Sequence, residues 1–412
     1  MVPEGWMKCH LRDLLDVGVK NGYSPNATHH ETGYWVLGLG ALGDHSFITT
    51  EIKPVDLTPK VEQTLLKNGD FLVSRSNTPD KVGRSVRFKG EVPNCSYPDL
   101  MMRFRVDESE ADPDFIEASL KSTPIRSYYK NCAAGSSSTM VKINKATVEK
   151  TPILLPPLGE QKKIAKILST WDKAIATVEK LIANSQQQKK ALMQQLLTGK
   201  KRLPGFGGEW VKKKVGEILA VRKDKQVPNE DTPLYSLTIE NGITAKTERY
   251  NRDFLVKDTD LKKYKVVWPK DIVYNPANLR WGAINYSRLE HSVVVSPIYE
   301  VLFIADTKND CLEFVAQSLM STDQINRFAS MVEGTLMERK AVKIEPFLAT
   351  KIAVPPTREE QEEIAAVLVS SDYEIDFMQQ QLSLLKDEKK ALMQQLLTGK
   401  RRVKVESIGR ET

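Results

Sequence analysis

The sequence contains few of the residues that build metal centres, disulfide frameworks or nucleophilic active sites. It has 4 cysteines and 5 histidines among 412 residues, and the cysteines are far apart, with no Cys-x-x-Cys spacing. Zinc ribbons and disulfide-stabilised secreted folds are therefore excluded, and a reducing cytoplasm is the expected location. The adjacent His29 and His30 have no third ligand at metal spacing, so we expect them in a surface loop and predict no metal site.

Long apolar runs are also missing. No stretch approaches about eighteen uncharged apolar residues, so we expect no membrane span. The N-terminal residues lack the charged-then-apolar order of a signal peptide. Hydrophobic residues make up 41% and charged residues 27% of the chain, which is typical of a soluble globular protein. The net charge of +7 permits nucleic-acid binding but does not demonstrate it.

What the chain does contain is an internal repeat. Residues 189–200 and residues 389–400 both read KKALMQQLLTGK. The likeness extends upstream without a gap to paired identities at positions 160, 161, 164, 165, 168 and 172 and the positions 200 further on. We therefore predict a tandem duplication of a unit of about 200 residues, each a diverged domain followed by a preserved tail.

The two preserved tails are predicted to be long helices. Between Glu160 and Leu197 there is neither proline nor glycine, and Gly199 is placed to end the helix. Apolar residues recur at alternating steps of about four and three, which is typical of the seam of a coiled coil. The residues of this apolar seam are Ile164, Leu168, Trp171, Ile175, Val178, Ile182, Leu192 and Leu196 in the first tail, and Ile364, Leu368, Ile375, Met378, Leu382, Leu385, Leu392 and Leu396 in the second. Lys189 and Lys389 interrupt the seam at matching positions.

The charges of the two tails favour pairing them with each other. Residues 156–200 carry eight basic and three acidic residues, a net of +5, and residues 356–400 carry five basic and nine acidic residues, a net of −4. Opposite charge favours the mixed pair over like pairs. Because two copies of one unit would be related by a pseudo-two-fold axis, we expect the helices to be antiparallel.

The diverged domains are predicted to be mixed α/β (α+β). Strand-like runs with Gly, Pro and Asn turns between them are residues 34–37, 71–74, 266–268, 271–274 and 293–303, and helical runs are 113–121 and 310–320. The expected order along the chain is an N-terminal domain at residues 1–155, a helical region at 156–200, a C-terminal domain at 201–354, and a second helical region with the C-terminal tail at 355–412.

Three motifs suggest chemistry, and the residues around them argue against it. Residues 38–43 form GxGxxG, but β-like residues follow where a dinucleotide site needs a helix, so a glycine-rich strand and turn is predicted. Asp44, Glu51 and Lys53 have the order of a metal-dependent nuclease site, yet such triplets are common in a chain this charged. Residues 274–277, YNPA, lack the second proline and the aromatic residue of the corresponding methyltransferase turn. We therefore predict no catalytic residue.

The tail sequences carry a specific resemblance. PPLGEQKKIAKIL with PPTREEQEEIAAVL, and LLTGKKRLPGF with LLTGKRRV, set in two alternating units, resemble the specificity (S) subunits of type I restriction-modification systems over essentially the whole chain. The resemblance implies two target-recognition domains that each read half of a bipartite, asymmetric site in double-stranded DNA. It also implies that the helices set the spacer and dock methyltransferase subunits, two of which are expected, and that restriction/translocase subunits join them. S-adenosylmethionine, ATP and Mg²⁺ would then belong to these partners, and this chain would be non-catalytic.

Within that family, polar turns after the GDFLV and KDIVY strands are the expected DNA contacts, because Arg, Asn and Ser side chains can reach base edges or phosphates. A second set precedes each Val-Lys-Ile strand. The candidates are Ser74, Arg75, Ser76, Asn77, Lys81, Arg84, Ser136, Ser137, Ser138 and Thr139 in the first domain, and Asn275, Asn278, Arg280, Trp281, Thr335, Arg339 and Lys340 in the second.

Two other functions stay open on the sequence alone. The first is a nuclease or methyltransferase in its own right, which would cut or methylate DNA as a purified chain. The second is a DNA-binding or scaffolding protein without restriction partners, against which neighbouring methyltransferase and translocase genes would argue.

Overall fold

The structure is a computed structural model that describes residues 2–43, 47–137, 140–239, 242–245, 262–332 and 341–404. It is mixed α/β, as predicted, and it divides into two compact units. Unit 1 comprises residues 1–179 and 381–412, and unit 2 comprises residues 180–380. Within the described ranges, no helix is both long enough and apolar enough to cross a membrane.

Unit 1 is built on a four-stranded antiparallel sheet. Its strands lie in the order Leu15–Asn21, Met101–Val106, Phe71–Ser74 and Ser85–Arg87. All four residues of Phe71–Ser74 are buried, and the rings of Phe71 and Phe104 stack with centroids 5.1 Å apart. A short, continuous apolar run is what a strand covered on both faces requires, so this strand forms the centre of the unit.

The remaining elements of unit 1 surround that sheet. Met7–His10 pairs antiparallel with Pro152–Leu155 in a two-stranded ribbon. The other strands are Trp35–Leu37, Ile52–Pro54, Ser76–Asn77, Cys95–Ser96, Ala134–Ser137 and Met140–Lys142, and the short helices are Leu11–Leu14, Leu39–Ala41, Pro59–Gln63, Pro113–Lys121, Thr123–Cys132 and Lys145–Glu149. The predicted helix at residues 113–121 is thus confirmed. Asp112 caps it, because its side chain accepts a hydrogen bond from the Phe115 amide.

Unit 2 has a four-stranded sheet of the same topology as that of unit 1. Its strands are Leu219–Val221, Glu300–Ile304, Ile272–Tyr274 and Ile284–Tyr286. In both sheets the spatial order is the first, fourth, second and third of the four strands along the sequence. Val211–Lys214 pairs antiparallel with Lys351–Val354 in a two-stranded ribbon. The other strands are Lys225–Gln226, Tyr235–Thr238, Gly242–Ala245, Tyr264–Val267 and Val293–Val295. The short helices are Val215–Ile218, Leu279–Trp281, Leu312–Leu319, Thr322–Ser330 and Ile344–Ala349.

One predicted strand is divided in the structure. Residues 293–303 form two strands, Val293–Val295 and Glu300–Ile304, which belong to different sheets. A turn separates them, in which the Tyr299 amide bonds to the Ser296 carbonyl at 3.0 Å. Pro297 lies in this turn and has no amide hydrogen to continue a ladder, so the apolar run could not remain one strand.

Two long helices, Leu158–Leu196 and Arg358–Leu396, have 39 residues each, or about 58 Å at 1.5 Å per residue. Each contributes one part to unit 1 and the other part to unit 2. Every residue of the predicted apolar seam is buried or half-buried. In unit 1, Ile164 and Leu168 pack in one core cluster with Leu396. In unit 2, Ile364 and Leu368 do so with Leu196.

In unit 1, ion pairs tie the start of the first long helix to the end of the second. Both carboxylate oxygens of Glu160 accept hydrogen bonds from Arg402 at 2.8 Å, and Trp6 donates to the same carboxylate at 3.1 Å. Burial alone would raise the pKa of Glu160, but these hydrogen bonds outweigh it and hold the pKa below its ordinary value. Further along, Lys389 donates to Asp172 at 2.5 Å. The paired residue numbers change in opposite directions, so these segments are antiparallel.

Unit 2 contains the same ties with the roles of the helices exchanged. Arg202 donates to both oxygens of Glu360 at 2.5 and 2.6 Å, and Lys189 donates to Asp372 at 2.5 Å. Gln317 adds a hydrogen bond to Asp372 at 3.1 Å. The two lysines that interrupt the apolar seam are therefore each bound to an aspartate of the other helix.

Other residues shared by the two tails also have matching contacts. The side-chain oxygen of Gln161 accepts from the Asp112 amide, and that of Gln361 accepts from the Cys311 amide, each at 2.8 Å. These bonds join the start of each long helix to the loop before a short helix. The repeat therefore preserves contacts as well as residues.

A glycine follows each long helix in the left-handed region, with φ of +70° at Gly199 and +67° at Gly399. Such a conformation ends a helix with little strain only at glycine. Space is also limiting, because a Cβ at Gly199 would lie 3.2 Å from Trp210 and one at Gly399 would overlap Pro3.

The two lysine–aspartate pairs differ in exposure, which allows a test. Both lysines are largely buried, with side chains 16% exposed for Lys189 and 11% for Lys389, but Asp372 is 21% exposed and Asp172 is 51% exposed. Water therefore screens the pair that contains Asp172 more strongly. We expect a double-mutant cycle of Lys189→Met and Asp372→Asn to give a coupling free energy of about 1–3 kcal/mol. The cycle of Lys389→Met and Asp172→Asn should give about 0–1 kcal/mol. Urea unfolding followed by circular dichroism measures both, and equal couplings would contradict the prediction.

Candidate DNA-recognition surface

In unit 1, the candidate residues of the first set lie in and around the loop that follows the central strand Phe71–Ser74. The helix Thr123–Cys132 holds this loop through Arg126, whose guanidinium donates to the carbonyl oxygens of Val82 at 2.7 Å and Asp80 at 2.9 Å. The loop is therefore fixed to the body of the unit, although its sequence is polar. Sequence reasoning missed Arg126, because nothing local to it indicates a partner more than 40 residues away.

The candidates of this loop divide by exposure. Ser74, Ser76 and Asn77 are buried, and the Asn77 amide donates to the Ser74 hydroxyl at 3.3 Å. These three residues therefore lie beneath the surface of the loop and support its conformation. Lys81 is exposed and Arg84 is half-buried, so Lys81 is the most outward side chain of this set.

Arg75 lies between these two groups. It is half-buried, and its guanidinium donates to the Asp99 carbonyl at 3.1 Å. Its backbone carbonyl accepts from the Ile143 amide at 2.9 Å. The residue thus joins the loop to the strand region that follows the second candidate set.

The second set lies beside the first in unit 1. Ser136 and Ser137 end the strand Ala134–Ser137, and the next strand, Met140–Lys142, pairs antiparallel with Ser76–Asn77. Ser138 and Thr139 lie outside the described residues, as do Thr335, Arg339 and Lys340 of unit 2. There, the Val342 amide that follows the second set bonds to the Pro276 carbonyl at 2.9 Å, so the chain returns to the first loop in both units.

The loop of unit 2 presents an aromatic side chain instead of isolated cations. Trp281 is 59% exposed, and the guanidinium of the half-buried Arg280 lies 3.9 Å from the centroid of its ring. Asn278 is half-buried. Asn275 is buried, and its side-chain oxygen accepts from the Ala277 amide at 3.1 Å. An exposed tryptophan beside an arginine can stack on a base or sugar and contact phosphate or guanine.

A buried aspartate lies at the start of the central strand in each unit. Asp70 accepts hydrogen bonds from Arg105 at 2.7 Å and Arg103 at 3.2 Å. Asp271 accepts from Arg222 at 2.5 and 2.8 Å, although burial raises the pKa of Asp271 against these bonds. The aspartate that GDFLV and KDIVY share is the feature of the sequence that could have indicated this site. In both units it anchors the strand from which the loop begins.

The motifs that suggest catalysis have structural explanations where they are described. Within residues 38–43, only a short turn of helix forms at Leu39–Ala41, and a Cβ at Gly40 would lie 2.7 Å from the Glu51 carboxylate. These glycines pack against Glu51, so the predicted glycine-rich turn is confirmed. Asp44 lies outside the described residues. Among the residues that are described, no three His, Cys, Asp or Glu side chains are grouped to hold a metal ion.

Comparison with known proteins finds a likeness to one family. Residues 3–184 match the model for the type I restriction modification DNA specificity domain. The whole chain is similar to the putative type I restriction enzyme MjaX specificity subunit of Methanocaldococcus jannaschii, with 25% identity over 422 residues, 98% of this chain and 95% of that one. It is also similar to the MjaVIII specificity subunit of the same organism, with 29% identity over 64% of this chain and 65% of that one.

A solved structure shows the shared fold. The type I restriction-modification S subunit from M. genitalium has a TM-score of 0.57 with this chain at 15% identity, and 96% of each chain is covered. At this identity the likeness concerns the fold. The chain therefore resembles type I specificity subunits in sequence and in architecture, as its tail motifs indicated.

Arg280 allows a direct test of whether the loop that follows the central strand of unit 2 contacts DNA. If its guanidinium reads a base edge, Arg280→Ala should weaken binding to the cognate site by about 1–3 kcal/mol and leave binding to other sequences nearly unchanged. Lys308→Ala is the matched control, because Lys308 is an exposed cation outside the loop. Fluorescence anisotropy with cognate and scrambled duplexes measures both. Uniform weakening on all sequences would instead assign Arg280 to a phosphate.

Proposed function

We propose that the chain is the sequence-specific DNA-binding subunit of a type I restriction-modification complex, and that each unit reads one half of a bipartite, asymmetric site. The observation that carries this proposal is that the two units share one sheet topology but have different loops after the central strand. Both units have the same strand order and a buried aspartate before the central strand. The loops that follow carry Arg75, Lys81 and Arg84 in one unit and Arg280 and Trp281 in the other.

The difference between the loops supports an asymmetric site. Two identical readers related by a two-fold axis select a palindrome, whereas unlike readers select two unrelated half-sites. In this proposal the readers are the target-recognition domains at residues 1–155 and 201–354. The helical regions at 156–200 and 355–412 belong to the frame.

We also propose that the two long helices form an antiparallel coiled coil that arose by tandem duplication and carries a pseudo-two-fold axis. The reciprocal pairs Lys189–Asp372 and Lys389–Asp172 support this, as does the burial of the apolar seam. A stiff helical pair of constant length would then set the spacer between the half-sites.

Catalysis belongs to partner subunits in this proposal. Two methyltransferase subunits would dock on the helical frame and supply S-adenosylmethionine chemistry, and restriction/translocase subunits would use ATP and Mg²⁺. The chain itself would position these enzymes on DNA without touching a reacting atom. The similarity to named specificity subunits supports this division of labour.

Domain exchange tests whether each unit reads separately. Replacing residues 201–354 by the equivalent domain of a relative should change one half of the methylated motif and keep the other half and the spacer. Single-molecule sequencing of methylated genomic DNA gives the motif, and the unaltered chain is the control. A change in both half-sites would show that the units read jointly and would overturn the modular proposal.

Helix length tests the origin of the spacer. Four residues inserted after Ser185 and four after Leu385 lengthen both helices by about 6 Å. The matched insertion leaves the pairs at Lys189 and Lys389 in register, and four residues are close to one helical turn, so the seam stays nearly in phase. Because DNA rises about 3.4 Å per base pair, the preferred spacer should grow by one or two base pairs.

The control for this experiment inserts two residues at both places. That change rotates the seam by about 200° and should disrupt helix pairing, which circular dichroism and thermal unfolding detect. An unchanged spacer in a folded, active four-residue variant would contradict the proposal that the helices set it.

A further inference from the structure

A five-residue sequence outside the long helices is preserved in both globular domains. Residues 119–123 read SLKST and residues 318–322 read SLMST, although the sequences around them have diverged. The leucine of each copy, Leu120 or Leu319, is completely buried in the core of its unit. Burial accounts for the leucine alone, so the serines and the threonine need a separate explanation.

The two serines of unit 1 are buried, yet their hydroxyl groups are not used within the protein. Ser119 is 6% exposed and Ser122 is 9% exposed. Neither hydroxyl forms a hydrogen bond with a described residue, and a buried hydroxyl without a partner is costly. Ser122 occupies the N-cap position of the helix Thr123–Cys132, but its side chain does not cap that helix. Both serines instead line a cavity, where a bound molecule can accept their hydrogen bonds.

The cavity in unit 1 has the size of a small-molecule site. Its volume is about 650 Å³, within the range of about 300–1,000 Å³ that is usual for such sites. Apolar residues form part of its lining, and these include Ile153, Met393 and Leu397. The two serines and the start of the helix Thr123–Cys132 also line it. A molecule that fills this cavity therefore has an apolar body and a polar end.

The helix start favours an anion at the polar end. The helix Thr123–Cys132 has ten residues, and its first turn contains no acidic residue. Amide groups in the first turn of a helix have no intrahelical acceptor, and the helix dipole places partial positive charge there. Phosphate groups bind at such helix starts because several amides point at them.

The charged residues of the lining have a positive excess. Lys8 and Lys390 are exposed, and neither forms an ion pair with a described residue. Asp387 is the single carboxylate among the described lining residues. The other lysines of the lining are each paired with a carboxylate that lies outside it, and these are Lys121, Lys386 and Lys389. The two unpaired lysines therefore outweigh the one carboxylate.

Unit 2 has the same serines, but its helix start is already occupied. The Ser321 hydroxyl caps the helix Thr322–Ser330, because it accepts a hydrogen bond from the Gln324 amide. Asp323 adds a negative charge to the first turn, where unit 1 has Pro124. The cavity beside it has a volume of about 370 Å³. Lysines line this cavity as well, so the two units differ in the helix start and in the volume.

We propose that the unit 1 cavity binds one phosphorylated small molecule of the size and composition of a mononucleotide. Its phosphate accepts hydrogen bonds from the helix start and from the hydroxyls of Ser119 and Ser122, and Lys8 and Lys390 supply positive charge. Its base lies against the apolar part of the lining. Unit 2 does not bind this ligand, and binding in unit 1 requires neither DNA nor another subunit.

Isothermal titration calorimetry of the full chain with adenosine monophosphate measures this site. We expect one molecule to bind per chain. Inorganic phosphate and adenosine should each bind more weakly, because each of them makes only part of the contacts. Absence of binding at millimolar ligand, two molecules bound per chain, or adenosine that binds as tightly as the monophosphate would contradict the proposal.

The variant Ser122→Asp separates ligand binding from folding. Aspartate is among the preferred N-cap residues, so the helix keeps its start, whereas the new carboxylate repels a phosphate. Affinity for adenosine monophosphate should fall by about tenfold or more, because hydrogen bonds to a charged group are lost. Ser321→Asp makes the same change in unit 2 and should leave the affinity as it is. Thermal unfolding verifies that both variants fold, and equal affinities of the two would overturn the inference.

A second pair of variants tests the contribution of the lysines. Lys390→Gln removes a positive charge from the unit 1 cavity and should weaken binding severalfold. Lys190→Gln is the control, because Lys190 is the equivalent residue of the repeat and lines the cavity of unit 2. Equal effects of the two changes would mean that the ligand does not lie in the unit 1 cavity.

A competition experiment identifies the source of the phosphate. Duplex DNA should not displace a fluorescent analogue of adenosine monophosphate from the chain, as followed by fluorescence anisotropy. Unlabelled adenosine monophosphate should displace it. Displacement by DNA, together with weaker DNA binding by the Ser122→Asp variant, would assign the phosphate contacts to nucleic acid and overturn the proposal.

Discussion

The exchange of ion pairs between the two long helices is the constraint on which both units depend. The Glu160 side chain is 4% exposed, and a buried carboxylate is stable only when it is paired. Its partner Arg402 is 242 residues away along the chain. The core of unit 1 therefore depends on the segment that follows the second long helix, and unit 2 depends in the same way on the pair of Arg202 and Glu360. Residues that serve this exchange stayed the same in both tails, because a change on one helix leaves a charge unpaired on the other.

Within each unit, the central sheet and the loop that follows its central strand are held by different contacts. Buried aspartates anchored by arginines fix the central strand, and the Arg126 contacts fix the backbone of the unit 1 loop from behind. The outward side chains of the loops take no part in these hydrogen bonds, so they can vary while the sheet stays the same. In the proposed function, that separation would allow the DNA contacts to change without loss of the fold. It also explains why the two units share strand order although one loop presents cations and the other an arginine–tryptophan pair.

The sequence predicted those elements whose signals are local. The first helix was expected from Glu160 to Leu197 and runs from Leu158 to Leu196, because the absence of proline and glycine and the spacing of apolar residues act within a few turns. Ser74, Ser76 and Asn77 were chosen as DNA contacts for their polarity, and the structure buries all three. Ser74 belongs to the central strand, and Ser76–Asn77 forms a strand with residues 141 and 142, a pairing that no local pattern shows. The contact set as a whole remains a prediction.

The sequence by itself determined the repeat, the two long helices with their opposite charges, and the family that the tail motifs resemble. Each of these can be recognised from short stretches of consecutive residues, without knowledge of which residues are in contact. Only the tertiary structure decided what the interruptions of the seam do. In the sequence, Lys189 and Lys389 interrupt the apolar seam without an evident reason. In the structure, Lys189 is bound to an aspartate 183 residues away, and Lys389 to one 217 residues away.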